Sequence, residues 1–218
     1  MTGWRTVPRS ITVAVFDFDG TLSTHDCVVP FMRKVAGTPR LVARLAARPM
    51  ALLVALARRD RDTVKGLATR AAFGGRRAHD VDAAGQDFAA QVVARGLRAD
   101  TVDRLRRHLD DGDTVVIVSA SLQPYLEPIG VALGAHAVLC TRLAVDEAGV
   151  LTGALDGENC RAEEKLRRLS QWLTAEHLAR TDVHLVVYGD SAGDHALLAE
   201  ADSGIWAARR TLAAWRSP

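Results

Sequence analysis

VAVFDFDGTLSTHD, residues 13–26, ends an apolar run in two carboxylates, Asp17 and Asp19, with one Phe between them and Gly20-Thr21 behind. Acids so close together repel unless a cation screens them, and a plain turn needs only one. The run itself, ITVAVF (11–16), has counterparts in TVVIVS (114–119), AVLC (137–140) and HLVVYG (184–189). Each is short and rich in Val and Ile, the pattern of a strand buried on both faces. Helical patterns at 101–110, 122–133 and 162–178 separate the later runs, and GIWAA (204–208) reads as a last strand reached by a helix near 193–201. This alternation predicts an α/β fold with a parallel sheet and helices packed on it.

One part breaks the rhythm. Residues 25–98 hold no convincing strand and are dominated by Ala, Leu and Arg, with breaks at Gly37-Thr38-Pro39, Pro49 and Gly74-Gly75. They read as a helical insertion into a core made of 1–24 and 99–218. A second, smaller insertion, TRLAVDEAGVLTGAL (141–155), alternates apolar and polar residues and reads as a β-hairpin. The helical insertion is strongly basic: Arg33, Lys34, Arg40, Arg44, Arg48, Arg58, Arg59, Arg61, Lys65, Arg70, Arg76 and Arg77 meet few acids before Asp80. Solvated helix faces account for such a run; so does attraction of an anionic substrate or surface.

The chain as a whole carries a net charge of +2 over 218 residues, so global charge gives no argument for nucleic acid. Cys27, Cys140 and Cys160 are scattered and odd in number, which excludes a disulfide framework or zinc ribbon and predicts reduced thiols in a cytoplasm. The opening MTGWRTVPRS lacks a secretory apolar region, and Met50–Ala57 falls far short of the ~20 residues of a membrane span. The oligomeric expectation is a monomer or dimer.

Ligands of open parallel sheets bind outside the carboxyl ends of the strands. Asp17 and Asp19 follow the first strand, Ser119-Ala120-Ser121 the second, and Asp190, Ser191 and Asp194 the fourth, with Lys165 in the helical stretch before it. Oxygen ligands of this kind suit Mg2+, while a lysine and a hydroxyl suit a phosphate. A screened carboxylate can attack phosphorus, and a second one can move a proton.

DFDGT (17–21), VSAS (118–121), Lys165 and GDSAGD (189–194) resemble, in order, the four motifs of the haloacid dehalogenase superfamily of hydrolases. The helical insertion, LTGAL (151–155) and GENCRAEEK (157–165) resemble its phosphoserine-phosphatase-like branch, subfamily IB. The resemblance implies a Rossmann-like core with a helical cap inserted after the first strand. It also implies Mg2+-dependent hydrolysis of a small phosphate ester, phosphoserine among them, through an aspartyl-phosphate. Asp17 would be the nucleophile and Asp19 the general acid/base. Gly20, Thr21, Ser119, Ala120 and Lys165 would hold the phosphate. Asp17, the carbonyl of Asp19 and Asp190 would ligate Mg2+, supported by Asp194. Asp26 and Arg33 would read the substrate; Asp26 is shorter than the glutamate common there, and Gly20 stands where phosphoserine phosphatases commonly carry serine.

Other readings of the same residues stay open. Ser119 or Ser121 could cap the helix at 122, Lys165 could be a surface lysine, and Asp190 and Asp194 a turn and a cap. The basic, aliphatic stretch 40–59 could line a path for a lysophospholipid-type phosphate or touch a membrane surface. A phospho-aspartate receiver or a non-enzymatic scaffold is the competing class; strands ending in Ser and Cys at 119 and 140 disfavour the first, and the intact motif acids the second.

Overall fold

The computed structural model describes residues 11–47, 49–58, 60–208 and 211–216; residues 1–10 and, in the basic insertion, Arg48 and Arg59 lie outside the described residues. The chain runs β1 (Ile11–Phe16), then five helices: α1 (Val28–Ala36), α2 (Thr38–Ala46), α3 (Pro49–Ala57), α4 (Arg61–Phe73) and α5 (Ala78–Arg95). It continues α6 (Ala99–Asp110), β2 (Thr114–Leu122), α7 (Gln123–Leu133), β3 (Ala137–Val145), β4 (Leu151–Asp156) and α8 (Glu163–Ala175). The last part is β5 (Val183–Gly189), α9 (His195–Glu200), β6 (Ser203–Ala208) and β7 (Thr211–Ala214).

The strands form one sheet in the order β4-β3-β2-β1-β5-β6-β7. The central pairs are parallel and the two edges antiparallel. Residue alternation divides the core, as a period of two demands. Ala14, Phe16, Val115, Ile117 and Tyr188 face the layer of α6, α7 and the insertion. Val13, Val15, Val116, Val118, Leu185 and Val187 face α8 and α9 through Leu169, Leu173, Leu197 and Leu198. Each Val, Leu, Ile or Phe so buried contributes about 1.5–3 kcal/mol relative to an exposed one.

The order of strand addition reverses beside β1: successive strands build outward through β2 on one side and β5 on the other. That is the switch point where an open sheet leaves a crevice at its carboxyl edge. The register sets what lies there. Phe16 pairs with both Ile117 and Tyr188, so Asp17, Ser119 and Asp190 emerge at nearly one level.

The insertion is fused to the core along one seam. α5 crosses α7 so closely that a Cβ on Gly85 would lie 2.1 Å from the Pro124 carbonyl oxygen. Beside that crossing Phe31 of α1, Phe88 of α5 and Tyr125 of α7 form a ring cluster with centroids 5.0–5.5 Å apart. The β3–β4 hairpin docks on the same insertion, through main-chain bonds of Gly75, Arg76 and Ala78 with Leu151 and Gly149.

Three details differ from the sequence reading. β2 does not stop before Ala120 but continues with a register shift to Leu122. AVLC is not a strand of its own; β3 runs straight into the hairpin. β7, only four residues long, adds an antiparallel edge that its composition does not announce.

Candidate active site

Asp17 leaves β1 almost fully buried, and the loop after it turns back over the sheet edge. Gly20 makes that turn in the left-handed region, at φ +84°, with its N–H donating to Ser23 Oγ at 3.3 Å. A Cβ here would lie 2.1 Å from Asp190 Oδ2, so the glycine is what admits the Asp190 carboxylate. Two donors from the start of α6 hold the loop. Arg98 donates to the Gly20 carbonyl at 2.7 Å and to the Ala207 carbonyl at 3.0 Å, and Thr101 donates to the Thr21 carbonyl at 2.7 Å. Gly20→Ala combines the clash with a left-handed strain of about 1–3 kcal/mol. We expect it to displace Asp190 and cut turnover far more than it lowers the unfolding midpoint, as parallel kinetic and urea-denaturation measurements would show.

Lys165, on the first turn of α8, points inward with only 3% of its surface exposed. Its ammonium donates to Asp17 Oδ1 at 2.6 Å and to Asp194 Oδ1 at 2.5 Å. The preceding Glu164 faces the other way, into Arg167 and Arg168, which pull its carboxyl down to about 2 and anchor the turn. Asp17, Asp190 and Asp194 each bring a carboxylate oxygen within 4.8 Å of the others. Burial, then the Asp194 charge, pushes Asp17 up to about 7 against the pull of Lys165. Burial and Asp194 also raise Asp190. Burial works against the Lys165 ammonium, but Asp17 and Asp194 outweigh it and raise its pKa.

The hydrogen bonds separate the three acids by task. Both oxygens of Asp194 are engaged, Oδ1 with Lys165 and Oδ2 with the Ser191 hydroxyl at 2.8 Å and the Ser191 and Asp190 N–H groups. Asp190 accepts only a long bond from the Thr21 hydroxyl, 3.4 Å, among the described residues. Asp17 has one oxygen free of Lys165. Three acids facing one ammonium leave an excess of negative charge, and hard oxygen donors with spare lone pairs fit a hard divalent cation. Asp17 and Asp190 could hold it, with Asp194 fixing the loop and Lys165.

Asp19 is held apart from this cluster. Its Oδ1 accepts the Cys27 N–H at 2.8 Å, and its Oδ2 accepts the Ser121 hydroxyl at 2.5 Å. Ser121 in turn accepts from the Tyr125 hydroxyl at 2.8 Å. Burial lifts Asp19 to about 6, offset by the Ser121 bond. Neither Ser119 nor Ser121 caps α7, whose N-cap is Leu122 without a side-chain bond. Ser119 is buried at the end of the β1–β2 register, accepting the Ser121 N–H at 3.2 Å. Thr21 is also buried, turned toward Asp190.

A cavity of about 770 Å3 opens between this edge and the insertion, lined at its base by Asp19, Ala120 and Lys65 and at its sides by α1, α3 and α4. Asp26 lies on it; Arg33 is exposed on α1 and is not part of its lining. Lys65 is the residue that sequence reasoning missed. From α4 it reaches the core, donating to the Ala120 carbonyl, to Asn159 Oδ1 at 2.5 Å and to Thr141 Oγ1 at 3.2 Å. Burial lowers its pKa to about 8. A signal for it exists: only three of the 28 lysines and arginines are lysines, and two of them, Lys65 and Lys165, sit here. In a chain that otherwise uses arginine, a compact ammonium marks a tight site.

Comparison with known proteins agrees with this geometry. The sequence model of haloacid dehalogenase-like hydrolases matches residues 14–199. The protein CicA of Caulobacter vibrioides is 35% identical over 191 residues, 87% of this chain and 83% of its own. A probable phosphatase of Mycobacterium tuberculosis is 26% identical over 88% of this chain and 67% of its own. Among solved structures, a Bordetella pertussis protein of unknown function superposes with a TM-score of 0.73 at 24% identity, covering 90% of both chains. A phosphoserine phosphatase captured as a phospho-aspartyl intermediate analogue superposes with a TM-score of 0.62 at 20% identity, over 91% of this chain and 87% of that one. An aspartate-tipped central strand, a buried lysine and an acidic loop, joined in one crevice and matched along most of the sequence, place this chain in the haloacid dehalogenase-like hydrolase family, with the fold of the phosphoserine phosphatases.

Proposed function

We propose that this hydrolase is a Mg2+-dependent phosphomonoesterase working through an aspartyl-phosphate on Asp17. The observation that carries the reading is the meeting of Asp17, Asp190 and Lys165, from three distant segments, in one buried cluster at the sheet edge. An Asp17 oxygen attacks phosphorus, and the bond from phosphorus to the ester oxygen breaks. Asp19 gives its proton to the departing alkoxide. Asp19 then takes a proton from the water that attacks the acyl-phosphate, and inorganic phosphate leaves Asp17 free. Ser119, the main-chain N–H groups of Thr21 and Ala120, which the turn at Gly20 brings to the sheet edge, and the Lys165 ammonium form the phosphoryl seat. Mg2+, held by Asp17, Asp190 and the Asp19 carbonyl, would supply positive charge that lets the acids stay ionised beside a phosphate.

The donors on Asp19 support its separate task, since Ser121 and the Cys27 N–H aim it away from Lys165. Residues 25–98 serve in this reading as the cap that covers the seat and excludes water, with 1–24 and 99–218 as the catalytic core. The cytoplasm is the compartment we propose: the three cysteines are buried and unpaired, as reduced thiols would be. Among the described residues no helix is long and apolar enough to cross a membrane. Phosphoserine, the ester named by several structural relatives, is the first small substrate to assay. Hydrolysis of p-nitrophenyl phosphate tests the whole scheme. Turnover should fall to background in EDTA and return with Mg2+; full activity after exhaustive chelation would remove the metal from it.

A further inference from the structure

We propose that the ester this site takes is the phosphate of an alcohol bearing an aliphatic chain. The inference rests on the phosphomonoesterase reading and names its substrate class. The cavity is polar where it meets the core, at Asp19, Lys65, Asn159 and Arg161, but its walls on the side of the insertion are not. Val28, Val29 and Met32 from α1, Ala55 from α3 and Val64 and Ala68 from α4 form them. A volume of about 770 Å3 lies in the upper part of the ~300–1,000 Å3 range of sites that enclose ligands of some size, well beyond what the serine part of phosphoserine would fill.

The polar lining is largely occupied with the protein itself. An ammonium has three donors, and the Lys65 ammonium already reaches the Ala120 carbonyl, Thr141 and Asn159. Asp60 caps α4 through the Thr63 N–H and hydroxyl. Asp26 accepts the Val28 N–H at 3.0 Å. Arg161 is the exception, with no side-chain partner among the described residues. A substrate ammonium would have to share Asp19, Asp26 or Asp60 with bonds these acids already accept, and Arg161 leaves room for one anionic group, whereas a methylene chain needs none of them.

Apolar side chains also reach solvent near the cavity. Val29 lines the cavity yet is 43% exposed, so it stands where the cavity meets solvent. α3 contributes Ala55 to the wall and presents Met50 and Leu53, 70% and 59% exposed, on the outside, with the exposed Arg40, Arg44 and Arg58 nearby in sequence. Exposed apolar side chains and cations on the same stretch of chain suit a ligand that is anionic at one end and greasy at the other. Such a ligand could arrive free in solution or from a lipid surface.

A ladder of n-alkyl phosphates from ethyl to octyl, each below its micelle concentration, assayed with Mg2+ beside O-phospho-L-serine and p-nitrophenyl phosphate, tests this. We expect kcat/KM to rise about fourfold for each methylene buried until the cavity fills, and by about 100-fold or more overall. Val64→Asp should lower the octyl-to-ethyl ratio more than tenfold; if that variant fails to fold, the ladder on the unaltered protein still decides. A flat ladder, or phosphoserine turned over faster than octyl phosphate, overturns the proposal while leaving the phosphomonoesterase reading intact. Silence toward every ester, p-nitrophenyl phosphate included, overturns both. With a rising ladder, lysophosphatidic acid as monomers against phosphatidic acid in phosphatidylcholine vesicles tells which source supplies the chain.

Discussion

Asp17→Asn is expected to abolish hydrolysis of p-nitrophenyl phosphate, by about 10,000-fold or more, while the protein stays folded. The size follows from removing a nucleophile whose partners cannot act without it. An amide keeps the shape but cannot form the acyl-phosphate. The fold survives because Lys165 keeps its 2.5 Å bond to Asp194 and because the lost carboxylate is one that burial already disfavours. Its thermal midpoint should move by only a few degrees. Steady-state kinetics and a melting curve on one preparation check both halves. Turnover near the level of the unaltered protein would assign the nucleophile elsewhere.

Lys165→Met is expected to cost about 3–5 kcal/mol of stability as well as the activity. It removes one partner of a buried ionic cluster and leaves Asp17 and Asp194 facing each other in a dry site. The penalty has a pH signature. Asp17 is already raised to about 7, and losing the ammonium raises it further. Ionised acids are what the variant cannot tolerate, so the deficit is greatest at alkaline pH. It shrinks as pH falls through the raised folded values and vanishes below the ordinary carboxylate range, where folded and unfolded chains are both protonated. Urea unfolding at pH 8 and pH 5, with and without the substitution, measures it. An equal loss at both would mean that the lysine acts by packing alone.

How far the site could be read beforehand depended on where each residue stands in the fold. Asp17 and Asp19 are legible because an apolar strand ending in acids has little else to do, and the strand alternation leads to a parallel sheet with its ligands at one edge. Lys165 is a surface lysine by any local criterion. Only its spacing to GDSAGD points inward, and the structure supplies the cause in Glu164, which holds the first turn of α8 from its other side. Lys65, Tyr125 and Arg98 could not be read in this way. Helical periodicity tells which face of α4 or α7 is apolar, not which core loop that face will meet. Their partners lie 55, 4 and 78 residues away, at Ala120, Ser121 and Gly20. Gly20 is a different case: a turn explains a glycine, but the close approach of Asp190 is a fact of three dimensions.

The seam between α5 and α7 has a consequence for how a reactant gets in. With Gly85 against Pro124 and three rings locked beside them, the insertion cannot swing away as a rigid lid without tearing open its own interior. Admission is left to the far end, where Val29 stands between the cavity and solvent. On the proposed reading the molecule works less like a jaw than like a purse with a fixed mouth, and the width of that mouth, rather than a hinge, sets which alcohols can leave.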